Sequence, residues 1–213
     1  MGGEIVKRPG FRREGSQGGS GGWIGGLKGG VSGATLSAIM FENLREDWVT
    51  YERDWMRPGI WVMVVYRFGQ WRYGIKTRAI RLPFSFLYKV AYVLMRGFTG
   101  IELPCEVTMG RRCRIDHSGG IVVSGWTVMG DDCVIRHGVT IGVKMDGDKK
   151  VPVIGNRVDI GAGAVVLGDI SIGDDVIIGA NAVVLHDIPA GMVAVGVPAR
   201  ILKRKMGVSG EQR

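Results

Sequence analysis

Two of the three histidines, His117 and His137, are the side chains best suited to proton transfer near neutral pH, because imidazole titrates there. They stand twenty residues apart in two related stretches, IDHSGG and IRHGVT. A repeat of about 18 residues per turn of a coil, plus two residues inserted near Gly119-Gly120, makes each the third residue of a hexad. Their backbones then lie on one face of successive coils, roughly 4.8 Å apart. Beyond an extruded segment the same column continues through Ala162 and Ala180, so it reads His, His, Ala, Ala. Imidazoles at the head of a groove of small side chains leave room for an extended chain such as the pantetheine arm of coenzyme A. Taken alone, His137 is read equally well as a substrate contact or as a stacked structural residue. His186, in LHDIPAG, falls on another face and is expected at the surface.

The elements that must hold this column follow from a change of period after residue 100. Aliphatic residues stand at Ile154, Ile160, Val166, Ile172, Ile178 and Val184, every sixth position without a slip. The fifth residue of each hexad is also small or aliphatic, from Val158 to Ile188, while Gly, Asp, Asn and Arg fill the positions between. A flat sheet repeats every two residues and a helix every 3.6, so neither accounts for the spacing, whereas a triangular coil of short strands does. The same frame runs through Leu103, Met109 and Ile115, then through Val123, Met129, Ile135 and Ile141. Cys113 and Cys133 take fifth positions and are read as small core hydrophobes. Seven extra residues, Lys144 to Lys150, bulge out as a loop at a coil corner.

Upstream, three stretches carry apolar residues at helical spacing: Leu36 to Tyr51, Ile60 to Tyr73 and Leu82 to Phe98, separated by Pro58 and Pro83. Their Trp, Tyr and Arg suit packing on the coil, pairing with another subunit or lying on a membrane surface. Before them, 13 glycines in residues 1–33 argue for a disordered tail. The expected division is 1–35 tail, 36–100 helical region, 101–202 coil and 203–213 basic tail.

The net charge of +8 is concentrated: residues 53–114 hold 12 Lys and Arg against three Asp and Glu. A localised basic face suits CoA phosphates, an acidic polysaccharide or an anionic membrane surface; a plain solvated face accounts for it as well. No nucleic acid partner is expected. Three cysteines without CxxC or CxxH spacing make neither a paired disulfide framework nor a zinc site, which favours a reducing compartment, so a cytoplasmic location is expected. No apolar run is long enough to be a signal peptide core or to span a bilayer.

The stretches IDHSGGIVV, GVTIG, VDIGAGAVVLGDISIG, IGANAVVLHDIPAG and GVPARI resemble the serine acetyltransferases. The longer GRRCRIDHSGGIVVSGWTVMGDDCVIRHGVTIG, with LREDW and VYRFGQW upstream, is similar also to colanic acid and other exopolysaccharide O-acetyltransferases. The resemblance implies a mainly β chain: a left-handed parallel β-helix of hexapeptide repeats, preceded by a small α-helical region and a disordered Gly-rich N-terminus. It implies acetyl-CoA as co-substrate and no metal. It makes His117 the general base, oriented by Glu102 fifteen positions earlier, with Asp116 as a substrate contact. His137 matches the polysaccharide enzymes in IRHGVTIG and is carried as a second substrate contact. Cofactor contacts are implied for Gly142, Ala162 and Ala180 along the groove, and for Arg200 and Lys203 toward the phosphates. Backbone N–H groups around Gly142 are suited to an oxyanion.

Three departures bear on the acceptor. The Arg-His pair of serine acetyltransferases is replaced by Lys149-Lys150-Val151-Pro152, the chain closes on Gly-Glu-Gln-Arg instead of Ile, and the helical region is short at about 65 residues. All favour a sugar of an exopolysaccharide or its precursor over L-serine, which stands as the alternative; a non-catalytic scaffold is the third reading. A γ-class carbonic anhydrase would need a third histidine ligand that His186 is not placed to supply. The resemblance further implies a homotrimer with a small-molecule or saccharide acceptor. Peripheral membrane contact through the basic helices would set it at the inner face of the membrane.

Overall fold

The computed structural model describes residues 33–145 and 150–204, with side chains from Ser37 onward. Most of the Gly-rich tail, the middle of the extruded loop and the end of the basic tail lie outside the described residues.

The coil follows the six-residue frame throughout. All six aliphatic positions from Ile154 to Val184 point inward and are at most 3% exposed. The fifth positions from Val158 to Ile188 are buried beside them, and Cys113 and Cys133 close the same core as free thiols. Two inward side chains in every six keep most strands two or three residues long, and these stack into three sheets that are parallel except at the last strand. The first contains β1 (Ile101–Glu102), β4 (Ile121–Val123), β7 (Thr140–Gly142), β10 (Val165–Leu167) and β13 (Val183–Val184). The second contains β2 (Thr108–Met109), β5 (Val128–Met129), β8 (Val153–Ile154) and β11 (Ser171–Ile172). The third contains β3 (Arg114–Asp116), β6 (Val134–Arg136), β9 (Asp159–Ile160), β12 (Ile177–Ile178), β14 (Met192–Val195) and β15 (Arg200–Lys203).

Corners between sheets are made by residues in the left-handed region, stacked in columns. Between the third sheet and the first, Gly100, Gly120, Gly138, Gly163 and Asn181 have φ between 56° and 71°. The coils approach so closely there that a Cβ on Gly138 would lie 3.3 Å from the Gly163 Cα. Glycine avoids both the clash and the strain.

Strand register locates the two insertions. Asp116 lies opposite Arg136, an offset of twenty, whereas Val122 lies opposite Thr140, an offset of eighteen. The Gly138 N–H donates to the Gly119 carbonyl at 2.8 Å, so the extra pair is His117 and Ser118, not Gly119 and Gly120. Permissive glycines drew the expectation two residues too far; the insertion itself carries the histidine. Leu167 opposite Gly142 restores the expected seven extra residues before β8.

The helices are α1 (Gly33–Thr50), α2 (Pro58–Tyr73) and α3 (Arg78–Thr99). α1 starts inside the segment assigned to the tail. Pro58 opens α2 as expected, since a first-turn residue needs no N–H. Pro83, expected as a separator at the start of the third helical stretch, lies five residues past the helix's first residue. The chain turns helical at Arg78, and the ring forfeits one bond that the rest of the helix outweighs.

Helices cover the first coil, whose strands have no coil above them. The Tyr51 hydroxyl accepts from Ile115 N–H at 2.8 Å, and the Tyr66 hydroxyl donates to the Val107 carbonyl at 2.9 Å while accepting from Met109 N–H. The Tyr88 hydroxyl accepts from Cys105 N–H at 3.0 Å. Three tyrosines thus satisfy edge groups that would otherwise be open to another chain. Burial holds the Tyr51 and Tyr66 phenols above the ordinary value, which keeps both hydroxyls protonated as donors. Arg67 ties the layers together, pairing with buried Asp47 at 2.9 Å and donating to the Gly110 carbonyl at 2.8 Å.

The last strand differs from the expected end of the coil. β15 turns back antiparallel on β14, Arg200 opposite Val195 and Lys203 opposite Met192. Lys203 is therefore part of the sheet and not of the tail.

Candidate active site

The two histidines meet at the corner between the third and first sheets, but not as successive members of one column: the register sets Gly119 above His137, and His117 reaches the corner from the bulge. The His117 and His137 rings are 5.8 Å apart and inclined at 74°, edge to face. Both rings are exposed, as a base that must meet an acceptor requires. His117 is held with φ 66°, in the left-handed region. That costs an ordinary residue on the order of 1 kcal/mol, and such strain gathers where a side chain must be aimed. The two-residue bulge supplies the aim: it lifts His117 off the repeat, so the ring is not committed to packing.

Below the histidines the backbone ladder continues the column. Gly163 N–H donates to the His137 carbonyl at 2.9 Å, and Asn181 N–H donates to the Ala162 carbonyl at 2.8 Å. Ala162 therefore follows His137, and Ala180 follows Ala162, as the hexad phasing requires. Val183 N–H donates to the Gly196 carbonyl, which brings the next step to the turn before β15. Arg200, opposite Val195, sits at the foot of the column. Lys203 lies three residues along β15, roughly 10 Å away, toward the opposite corner. Both side chains are exposed.

A row of charges, of which the motifs singled out only Asp116, flanks the histidines on the third sheet. Arg114 donates from Nη2 to the Asp116 Oδ2 at 3.0 Å, and its Nε lies 2.9 Å from Oδ1 as an ion-pair contact. Arg136, opposite Asp116, holds Asp159 in the next coil, with Nη2 to Oδ2 at 3.2 Å. Donating to the Asp159 carboxylate raises the Arg136 guanidinium above its ordinary value. The signal for this row was present in the sequence, since Arg114, Asp116, Arg136 and Asp159 are the outward neighbours of the inward Ile115, Ile135 and Ile160.

Two expected site residues are not brought to the histidines. Glu102, in β1, is two residues from the His corner, and its carboxylate pairs with Arg96 at 2.9 Å. Among the described residues it makes no hydrogen bond to His117. Gly142 ends β7 five residues beyond His137, roughly 16 Å along the strand, at the corner where the loop leaves. His186 is exposed after β13, away from the column, as expected. No cluster of three or more His, Cys, Asp or Glu suited to a metal occurs among the described residues.

Residues 152–186 match the family model described as bacterial transferase hexapeptide, six repeats. A serine acetyltransferase of Helicobacter pylori strain J99 is 44% identical over 149 residues, covering 69% of this chain and 82% of that one. The chain belongs to the serine acetyltransferase family. It is an acetyltransferase of that type, and acetyl-CoA is the co-substrate of the family. The serine acetyltransferase of Mycobacterium tuberculosis is 41% identical over 146 residues, 68% of this chain, which spans 61% of that protein's length. A putative colanic acid biosynthesis acetyltransferase of Escherichia coli K12 is 40% identical over 119 residues, 56% of this chain and 72% of that one.

Solved serine acetyltransferases share the architecture, and with it the left-handed sense of the coil. The Brucella abortus enzyme in complex with coenzyme A superposes with a TM-score of 0.66 at 27% identity, covering 79% of this chain and 72% of that one. The Neisseria gonorrhoeae enzyme in complex with serine gives 0.67 at 28%, covering 79% and 71%.

Proposed function

We propose that this serine acetyltransferase relative moves the acetyl group of acetyl-CoA onto a hydroxyl of a saccharide, an exopolysaccharide unit or its precursor. His117 is the general base. It takes the hydroxyl proton as the oxygen attacks the thioester carbonyl; the tetrahedral intermediate then collapses, the carbon–sulfur bond breaks, and the imidazolium returns the proton to the leaving thiolate. A positioned base contributes roughly 10² to 10⁴ in rate. The observation that carries this reading is the exposed His117, lifted on a bulge at the head of the Ala162 and Ala180 groove and set edge to face against His137. The groove takes the pantetheine arm, and Arg200 and Lys203 serve the phosphates. His137 contacts the acceptor. Glu102 orients His117 once released from Arg96, and the N–H groups near Gly142 bind the oxyanion.

Asp116 supports a sugar over an amino acid. Its carboxylate is already bonded by Arg114, so an acceptor carrying an ammonium group finds no free counter-charge there. Similarity to the colanic acid relative points the same way. L-serine is the second reading, favoured by the names and the identity of the serine acetyltransferase relatives.

The assembly we propose is a homotrimer working in the cytoplasm at the inner face of the membrane. Its site lies between copies, which brings the Gly142 corner of one to the His117 corner of the next.

The test is thiol release from acetyl-CoA by the full chain against L-serine and a panel of sugars and lipid-linked oligosaccharides. A saccharide should release CoA faster than L-serine, and His117→Ala should lower turnover at least about a hundredfold with unchanged melting. Preference for L-serine overturns the acceptor; near-normal activity of His117→Ala removes the base.

A further inference from the structure

We infer that the outer face of α3 is a docking surface for an anionic membrane. Eight large apolar side chains of this helix, from Ile80 to Phe98, are exposed, among them Leu82 at 62%, Phe86 at 72%, Val93 at 65% and Phe98 at 83%. At about 100° per residue they fall within an arc of roughly 160°. Only Tyr88 and Thr99 of the helix are buried, both on its other side. A continuous apolar face of this kind on an amphipathic helix marks an interaction surface, not chance exposure. No helix among the described residues is long and apolar enough to cross a membrane, so this face would lie on a bilayer, not through it.

Charge selects the occupant. From Gly74 to Thr99 the chain carries Lys76, Arg78, Arg81, Lys89 and Arg96 and no Asp or Glu. Arg96 pairs with Glu102, while Lys76, Arg78, Arg81 and Lys89 make no ion pair among the described residues. Arg78 and Lys89 fall on the helical line next to Leu82, along one edge of the apolar arc, where phosphate headgroups would meet them. A second copy packed on the same face brings basic edge against basic edge with no acid to neutralise it, which disfavours self-association there. Apolar insertion with a basic fringe is the pattern that anionic lipid rewards.

The helix also ends at the active corner. Gly100 caps it in the left-handed conformation, its carbonyl accepts from Ile121 N–H at 3.2 Å, and a Cβ there would lie 3.2 Å from Gly120 N. Docking through α3 thus sets the turn of His117 beside the lipid surface. This names the surface behind the inner-face location proposed above and rests on that reading for its biological use. The binding itself is measured without the reaction.

The experiment is flotation of the full chain with vesicles of phosphatidylcholine alone or with added phosphatidylglycerol, at low and high salt, beside sedimentation and thermal melting. The chain should float with the anionic vesicles, at least tenfold less with the neutral ones, and less as salt rises. Arg78→Glu with Lys89→Glu, and separately Phe86→Ser with Val93→Ser, should each lower partitioning at least tenfold with melting unchanged. CoA release on a soluble acceptor should stay at the wild-type level in both. Absence of wild-type flotation, or equal binding to neutral vesicles, overturns the inference. So does a Phe86→Ser, Val93→Ser chain that breaks into smaller assemblies while floating as before, because the face then joins copies. Loss of CoA release in every chain with flotation intact would refute the acceptor reading and leave the docking surface standing.

Discussion

At the scale of single residues, the unusual feature is how little of the active corner belongs to the coil's own packing. Ile115 and Ile135 are inward and buried, yet the residues that follow them, Asp116 with His117 and Arg136 with His137, face out and are free of the core's packing demands. The Arg114–Asp116 pair is half-exposed, so its worth is of the order of 1 kcal/mol or less. Its effect on recognition exceeds its effect on stability. Replacing Arg114→Met frees the Asp116 carboxylate for an ammonium group. The ratio of kcat/KM for L-serine over that for the saccharide should rise about fivefold, the equivalent of about 1 kcal/mol, with melting little changed. An unchanged ratio would mean that Asp116 does not meet the acceptor. The spacing brought both histidines to one corner but placed His117 inside the repeat, where the structure puts it in the bulge. Of the charged row only Asp116 was singled out, because alternating Arg and Asp on a surface strand reads as ordinary solvated charge until the register sets Asp116 against Arg136.

At the scale of elements, the coil was legible almost residue by residue because its inward positions recur every six residues and tolerate only small or aliphatic side chains. The ends were not. A tyrosine in a helical stretch does not declare which carbonyl or N–H its hydroxyl will reach, so the covering of β2 and β3 by Tyr66 and Tyr51 appears only once the layers are stacked. Pro83 misled because proline usually precedes a helix, and β15 was missed because its four residues carry no strand signal of their own. The same layer holds the molecule's most consequential ion pair. Asp47 is fully buried and Arg67 only 3% exposed, so removing one partner strands the other. Asp47→Ala should cost about 3–5 kcal/mol and lower the melting temperature by several degrees or more, whereas Asp47→Ala with Arg67→Met should recover most of the loss. Equal destabilisation in the double variant would show that the helices are held by the tyrosines and apolar contacts instead.

At the scale of the whole molecule, one chain carries the parts of the proposed site at two different corners. His117 and the groove stand at one, Gly142 and the root of the loop at the other. A trimer in which unlike corners meet resolves the separation, and it makes a prediction that no single-chain site shares. The full chain should sediment at three times its own mass. Mixed assemblies of His117→Ala with Gly142→Val should regain about a quarter of wild-type turnover, because each site draws its two corners from different copies. Among the described residues a Cβ at Gly142 would meet Ser124 alone, at 3.6 Å, an ordinary contact. No recovery would put both corners in one chain. The bulge of His117 and Ser118 bears on ancestry as well as on reaction. Because these two residues stand outside the repeat, they can be lost or exchanged while every inward contact survives. A descendant without the proposed base would therefore keep the architecture intact, and its shape alone would not betray the loss.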